Sequence, residues 1–224
     1  MSLQNKHKRK YTPMNLKTIF LFLYLIGYTF LGLAQSSPTK LYYDNGALKT
    51  EGQLDNYQKI GKWIFYYPNG KLNAEENYSD GKLNGKTKGY DFEGNLIAIE
   101  NWANGLESDT AQYFHSNGKL KRIGIFKNGL YSGLWKTYHE NGKLKNEGMY
   151  HEGKPVGEWK FFYPSGKIEQ TLIYQHGIPN GKSSEYAEKG YLEWEGFYEN
   201  GKKVSEWQQF NKKGKVILKK DYFY

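Results

Sequence analysis

The chain has 224 residues, a formal net charge of +9 and no cysteine. This length is enough for one or two ordinary domains, and the lack of cysteine excludes disulfides, thiolate metal sites and cysteine nucleophiles. The abundance of Tyr (21), Phe (12) and Gly (26), against only 6 Pro, predicts short strands joined by tight turns.

The first 34 residues differ from the rest of the chain. They hold five Lys and Arg residues and no acid, and they end in an apolar run from Ile19 to Ala34. This pattern predicts a signal-peptide helix, residues 1–34, cleaved between Ala34 and Gln35. The run is shorter than the roughly 20 residues of a membrane span, and an uncleaved anchor or a buried core helix are the alternatives. Met14 is an alternative start.

The charge argument changes once this segment is set aside. The remaining chain carries 27 Lys and Arg residues against 23 Asp and Glu residues, a net charge of +4. Such a surface is only mildly basic, unlike that of a typical nucleic-acid-binding protein. We therefore expect no nucleic-acid partner.

A 24-residue repeat covers the rest of the sequence. Eight turn glycines recur at this interval without insertion or deletion. Each defines one unit, and units one to eight are numbered in the order Gly46, Gly70, Gly94, Gly118, Gly142, Gly166, Gly190 and Gly214. Four residues before each lies a ring: Tyr42, Tyr66, Tyr90, Phe114, Tyr138, Phe162, Tyr186 and Phe210. An aliphatic residue follows two positions after each glycine, and a second large apolar residue follows eight positions after it. A fixed period of this kind is typical of repeat architectures.

Turn signals divide each unit into two strands. Asn-Gly or a similar pair marks the first turn, and a second turn follows eleven residues later, as at Asp80-Gly81. We expect type I′ turns, since both of their central residues need positive φ. A further glycine, such as Gly61, is assigned to the second turn. In four units Gly52, Gly124, Gly148 or Gly196 lies in the second strand, where it leaves space for a neighbouring ring.

These observations predict an all-β fold. We expect an elongated antiparallel β-meander of about eight 24-residue hairpins, residues 40–224, after a short linker at 35–39. Ladders of stacked rings would stabilise a partly single-layer sheet. Charged residues in the last unit would protect its edge strand from pairing with other molecules.

The segment EGMYHEGKPVGEWKFFYPSGK, Glu147 to Lys167, resembles the MORN repeat variant, in the bacterial form labelled as a YwqK-type antitoxin. The resemblance extends over about residues 40–224. It implies an array of β-hairpins that contacts proteins or membrane lipids. The antitoxin label implies a toxin partner, although an exported chain fits poorly with a cytoplasmic antitoxin.

No constellation typical of catalysis is found in the sequence. His115 and His139 occupy equivalent positions where other units carry Tyr, so we interpret them as aromatic substitutes on strands. The repeated acids Glu51, Glu75, Glu147 and Glu195 are interpreted as a solvated or ion-paired face. The turns lack the alternating acids of a calcium loop, and no helix follows a glycine turn to hold a phosphate. We expect no enzyme, no metal and no cofactor.

A row of aromatic residues is the candidate binding or stacking site. It consists of Trp63, Trp135, Trp159 and Trp207, seven residues before the turn glycines, with Tyr66, Tyr138 and Phe162. One interpretation places the tryptophans in the core between hairpins. The other exposes them to stack on sugars or to anchor a partner. Thr87, Ala111 and Ser183 replace the tryptophan in units three, four and seven, where a different surface is expected.

The turn lysines are a second candidate. Lys71, Lys119, Lys143, Lys167 and Lys215 are expected to line one edge of the array. There they either attract anionic lipid headgroups or remain solvated.

The function expected from the sequence is that of an exported, non-catalytic scaffold that binds a protein in the periplasm, the outer cell envelope or the medium. Binding of anionic lipid or envelope glycan, and an antitoxin or immunity-like role against a toxin partner, are the alternatives.

Overall fold

The computed structural model describes residues 36–222, so the predicted signal peptide and the Ala34–Gln35 bond lie outside the described residues. Within that range the chain forms eighteen strands and no helix. No helix among these residues is long and apolar enough to cross a membrane. The first strand begins at Ser37, inside the segment predicted as a linker.

The strands follow one another closely along the chain. They are β1 (Ser37–Tyr42), β2 (Leu48–Asp55), β3 (Gln58–Tyr66), β4 (Leu72–Ser79), β5 (Lys82–Leu83), β6 (Gly85–Tyr90), β7 (Leu96–Ala103), β8 (Leu106–Glu107), β9 (Asp109–Phe114), β10 (Leu120–Lys127), β11 (Leu130–Tyr138), β12 (Leu144–His151), β13 (Lys154–Phe162), β14 (Ile168–Gln175), β15 (Ile178–Tyr186), β16 (Leu192–Glu199), β17 (Lys202–Phe210) and β18 (Val216–Tyr222).

Every ladder joins strands that are close in sequence, and every ladder is antiparallel. β5 and β6 both pair with β4, and β8 and β9 both pair with β7, so each of these pairs acts as one interrupted strand. Sixteen strand positions therefore form eight hairpins in one open sheet. The predicted all-β meander of 24-residue hairpins is confirmed.

The two turns of a unit have different geometries. At the second turn both central residues have positive φ, for example Asp80 at 50° and Gly81 at 75°, as predicted for type I′. At the first turn only the glycine does, as at Gly46. The Gly46 amide donates to the Tyr43 carbonyl, and the Tyr43 amide donates to Ala47. This is a type I turn closed by a glycine bulge, so the prediction of type I′ was wrong here.

The glycine assigned to the second turn lies inside a strand instead. Gly61 falls within β3, with φ of 62°. The register skips there, because Glu51 faces Ile64 while Gln53 faces Ile60. Three residues of β3 thus lie against one of β2, which is a bulge that alters the local direction of the strand.

Cross-strand partners lie on the same face of a sheet, while neighbours along a strand lie on opposite faces. Trp135 faces Gly148. The side that carries the four repeated tryptophans is here called the tryptophan face. Residues on either side of Gly148, such as Glu147 and Met149, therefore lie on the other side, here called the reverse face. The two faces differ in their composition.

Candidate binding surface

The four repeated tryptophans lie in the interior of the tryptophan face. Trp63 and Trp135 are 2% exposed, and Trp207 is fully buried. Trp159 is buried as well. These indoles therefore do not form an exposed row, and the core interpretation of the sequence pattern fits the structure.

A glycine beneath each indole makes this burial possible. A Cβ built on Gly148 would lie 2.2 Å from ring atoms of Trp159, far inside van der Waals contact. The same holds at the three other pairs of this kind, which are Gly52 with Trp63, Gly124 with Trp135 and Gly196 with Trp207. The hypothesis that these glycines make room for a ring is confirmed.

Each indole covers the backbone of the preceding strand. Trp63 Nε1 donates to the Gln53 carbonyl at 3.1 Å. Trp135 and Trp207 make the equivalent bonds. Trp159 Nε1 is buried and has no hydrogen-bond partner. The indoles thus join neighbouring hairpins through both packing and hydrogen bonds.

The rings continue as a ladder across units five and six. Centroid distances are 4.6 Å for Tyr131–Trp135, 5.0 Å for Tyr131–Tyr150, 5.1 Å for Tyr150–Trp159 and 5.7 Å for Trp159–Tyr174. Most of these pairs are edge-to-face, which is a favourable geometry for aromatic rings. The ladder replaces the second layer that a single sheet lacks.

The other three residues of the candidate row lie outside this core. Tyr66, Tyr138 and Phe162 are half-buried. The Tyr66 hydroxyl donates to Glu51 Oε1 at 2.9 Å. The structure therefore does not bring the seven residues of the candidate row together as one exposed surface.

The first turns are linked from unit to unit. The residue after the repeated ring reaches the backbone carbonyl 23 residues further on. Tyr43, Tyr67 and Tyr163 donate through their hydroxyls, and His115 and His139 use Nε2 for the same contact. The two histidines thus replace tyrosines in a hydrogen bond, in agreement with their interpretation as aromatic substitutes.

The turn lysines take part in the same links. Lys71, Lys119 and Lys143 each donate through Nζ to a backbone carbonyl of the next turn, at 2.8, 3.2 and 2.6 Å. Their ammonium groups remain exposed, but each is oriented along the sheet edge by this bond. The lysine edge is therefore partly a structural element.

The repeated acids lie on the reverse face and are paired. Glu51 contacts Lys40 at 2.9 Å, and Glu75 contacts Lys62 at 2.5 Å. The Lys62 hydrogen bond, followed by that from Tyr90, holds the pKa of Glu75 below its usual value. Burial, followed by the bond to Glu75, raises the pKa of Tyr90 to about 12. This is the ion-paired face that the sequence predicted.

A second feature of the reverse face escaped the sequence analysis. In units four to eight an apolar stripe is formed by Ile125, Leu134, Met149, Val156, Ile173, Phe197 and Val204. The registers join Leu134, Met149 and Val156 directly, and Phe197 faces Val204. Ile125 instead faces Ser132, and Ile173 faces Glu158. Leu134 and Met149 are each 46% exposed.

The stripe stops in the first half of the array. The positions equivalent to Ile125 and Met149 carry Gln53, Asn77 and Asn101 there. Lys62 and Lys86 stand at the position of Leu134. The position of Ile125 and Met149 is thus polar in units one to three and apolar in units four to seven, whereas the position of Leu134 is charged again at Glu158, Lys182 and Glu206. Because Leu134 and Met149 are about half exposed, burial in the core does not account for their apolar character.

The described residues contain no group of three or more His, Cys, Asp or Glu residues that could hold a metal ion. The four histidines in the described part of the chain are separated as well. His115 and His139 bind backbone carbonyls, whereas His151 and His176 lie exposed near second turns.

Comparison with solved structures gives distant similarities. One is "Crystal Structure of TcdB2-TccC3-Cdc42", at 13% identity, covering 79% of this chain and 13% of that chain with a TM-score of 0.20. Another is "Crystal Structure of TcdB2-TccC3-TEV", at 13% identity, covering 97% of this chain and 14% of that chain with a TM-score of 0.21. The chain thus spans about one seventh of the length of either structure. No curated protein matches it.

Comparison with family profiles gives a match to the MORN repeat variant. The matched segments are residues 59–80, 110–128, 131–152 and 155–176. Each contains a first-turn glycine and parts of the strands on both sides of it. The comparison does not reach the YwqK-type form of the family. Four segments of this chain therefore match the MORN repeat variant.

Proposed function

We propose that the protein is an exported, non-catalytic scaffold that binds another protein through the apolar stripe on its reverse face. The observation that carries the proposal is the repeat position of Ile125, Met149, Ile173 and Phe197, which is apolar and partly exposed in units four to seven but holds Gln53, Asn77 and Asn101 in units one to three. Exposed apolar patches with a polar surround are typical of protein contact sites. The MORN variant repeats are consistent with a binding or scaffold role.

The surroundings of the stripe define the partner that it fits. Lys136, Glu147 and Lys160 follow one another in the adjacent column of the same face, with Lys136 and Glu147 3.5 Å apart. A complementary surface would carry an apolar ridge bordered by charges of both signs. The charged column would contribute mainly to orientation and specificity, and the apolar residues would contribute most of the affinity.

Export is part of the proposal and rests on the sequence of residues 1–34. N-terminal sequencing of the protein recovered from the envelope or the medium should begin at Gln35. Recovery of an uncleaved chain from the cytoplasm would contradict this part of the proposal and would leave the stripe unaffected.

The binding proposal is tested by affinity capture from cell-envelope extract. Leu134→Lys together with Met149→Lys should abolish retention of the partner, because two charges would replace the centre of the apolar contact. Both side chains are about half exposed, so the fold should tolerate the change. Gln53→Lys is the matched control, since it places lysine at the Met149 position of unit one.

The expected result is a partner retained by the unaltered protein and by Gln53→Lys but lost from the double variant. Equal capture by all three proteins would show that the stripe is not the binding surface. A second possibility is that the stripe binds another copy of the same chain. Sedimentation of the purified protein tests this, because the unaltered protein would then be a dimer and the double variant a monomer.

A further inference from the structure

Arg122 departs from the repeat on the tryptophan face. The equivalent positions carry Thr50, Ala74, Ala98, Asn146, Gln170, Trp194 and Leu218, none of them charged. Its guanidinium carbon lies 4.5 Å from the Trp135 ring centroid, 4.8 Å from that of Tyr131 and 5.4 Å from that of Tyr113. Its Nη2 donates to the Tyr131 hydroxyl. An arginine fixed in this way on aromatic rings presents its charge in one orientation.

A cavity of about 710 Å³ opens beside this arginine. It lies at unit four, where Ala111 replaces the repeated tryptophan. Its lining includes Ala98, Tyr113, Ser116, Lys121, Arg122 and Glu140. The volume is within the range of small-molecule sites, which combine apolar walls with a few polar groups.

The cavity borders a strip of small residues. Ala74, Gly89 and Ala98 face one another across three strands, and Tyr113 and Arg122 continue the same row. A Cβ added to Gly89 would meet only Ala98 and Ile97, at 3.7 and 3.9 Å. The row beyond Tyr113 therefore carries little side-chain bulk, which leaves room for a ring beside Tyr113.

The charges of the lining select the class of ligand. Arg122 and Lys121 favour a carboxylate, which the planar guanidinium can bind through two hydrogen bonds. Glu140 accepts hydrogen bonds and repels a second negative charge, so it fits a hydroxyl group of the same ligand. Ser116 can both donate to and accept from a hydroxyl. A monoanionic ring compound with hydroxyl groups satisfies all four residues.

We propose that this cavity is a binding site for an acidic sugar, a sugar ring that carries one carboxylate. The carboxylate binds Arg122 and Lys121, the hydroxyls bind Glu140 and Ser116, and the apolar face of the ring packs beside Tyr113. The site lies on the tryptophan face, and it is independent of the apolar stripe on the reverse face.

The test is a titration of the purified full-length protein with D-glucuronate, with D-glucose and inorganic phosphate as comparison ligands. Trp135 lies next to Arg122, so its fluorescence reports occupancy. We expect saturable binding of glucuronate, with glucose weaker by about tenfold or more, as for the loss of one charge-assisted hydrogen bond. A glucuronate-terminated oligosaccharide distinguishes a free sugar from the end of a glycan as the natural source.

Three variants make the test specific. Arg122→Gln should weaken glucuronate binding by about tenfold or more, and Lys121→Gln should weaken it by a smaller factor. Lys145→Gln is the matched control, because Lys145 is the exposed equivalent of Lys121 in the next unit, and its change should have no effect. If Arg122→Gln does not fold, Lys121→Gln and Ser116→Ala carry the test.

The proposal is overturned if glucuronate does not bind, if glucose binds equally well, or if phosphate competes as strongly as glucuronate. Unchanged affinity in folded Arg122→Gln would also overturn it, because the guanidinium would then not touch the ligand.

Discussion

At the scale of single residues, the fold depends on a reciprocal choice of side chains on neighbouring strands. Where a unit carries tryptophan, the residue eleven positions earlier is glycine, in all four cases. Where the tryptophan is replaced, so is the glycine, giving Glu76 with Thr87, Glu100 with Ala111 and Leu172 with Ser183. A large side chain on one strand is therefore matched by a small one on the neighbouring strand, so the space between them stays filled. This agreement is visible in the sequence once the two positions are compared.

Gly148→Ala should destabilise the protein, because the new methyl group would overlap the Trp159 ring at 2.2 Å. Overpacking of this kind typically costs about 1–3 kcal/mol. The measurement is the free energy of unfolding in urea, followed by tryptophan fluorescence.

Gly89→Ala is the control for this substitution. Its methyl group meets Ala98 at the ordinary distance of 3.7 Å, so stability should be unchanged or slightly raised. Equal destabilisation by the two substitutions would indicate a general effect of glycine in strands rather than the overlap with the indole.

At the scale of strands and hairpins, the pairing of one acid with a lysine and a tyrosine joins three neighbouring strands. Glu75 on β4 binds Lys62 on β3, and the Tyr90 hydroxyl on β6 donates to it at 2.8 Å. The contacts are partly exposed, so each contributes modestly to stability. Together these contacts nevertheless make the free energy of unfolding depend on pH.

Glu75→Gln should reduce the loss of stability in acid. The lowered pKa of Glu75 means that its contribution is present above the pKa of the unfolded carboxyl group and is lost as the pH falls through the folded value. Urea unfolding at a series of acid pH values measures this. The exposed Glu188 provides the control Glu188→Gln, and an acid dependence that is identical in both variants would contradict the role of Glu75.

Tyr90→Phe should reduce the loss of stability in alkali. The pKa of the Tyr90 hydroxyl is raised from 10.0 to about 12, so folding favours its protonated form. The contribution is complete below pH 10 and disappears as the pH rises towards about 12. Urea unfolding in alkaline buffer should show a shallower decline for the variant, and an unchanged decline would argue against the Tyr90–Glu75 bond.

The hairpins could be predicted because their signals are local. Asn-Gly and Asp-Gly pairs and a fixed 24-residue spacing determine which segments turn and which extend. The apolar stripe and the Arg122 cavity could not be predicted in the same way. Both depend on which residues face each other across strands, and each bulge, such as that at Gly61, shifts this register. The sequence shows that a position differs between units, but not which neighbours it has.

At the scale of the whole molecule, the open sheet has two edge strands that match each other. Among the described residues β1 pairs only with β2, and β18 pairs only with β17. In the 24-residue repeat, β18 occupies the same position as β12, and β1 occupies the same position as β13. Inside the sheet β12 and β13 pair with each other. A second copy could therefore continue the sheet head to tail. At that junction Lys219 would face Lys40, where Glu147 faces Lys160 internally, and like charges placed opposite each other are unfavourable.

Replacing the junction residues by their internal equivalents should promote self-association. Lys220→Gly and Thr39→Trp would supply the glycine and indole of an internal pair, and Lys219→Gln would remove the repulsion. Sedimentation velocity should show concentration-dependent assembly of this triple variant. Lys212→Gln with Lys213→Gln, changes at the first turn of unit eight, should leave sedimentation as it is in the unaltered protein. A triple variant that sediments like the unaltered protein would contradict the proposed match of the edges.

The hydrogen bonds between first turns also constrain how the protein can change in length. Each joins a side chain to a carbonyl 23 residues further on, so any insertion or deletion other than a whole unit would misplace the partner. Duplication or loss of one complete unit of coding sequence preserves every such bond on both sides. The number of units can therefore change during evolution by one complete unit at a time, while the surface residues of each unit diverge separately.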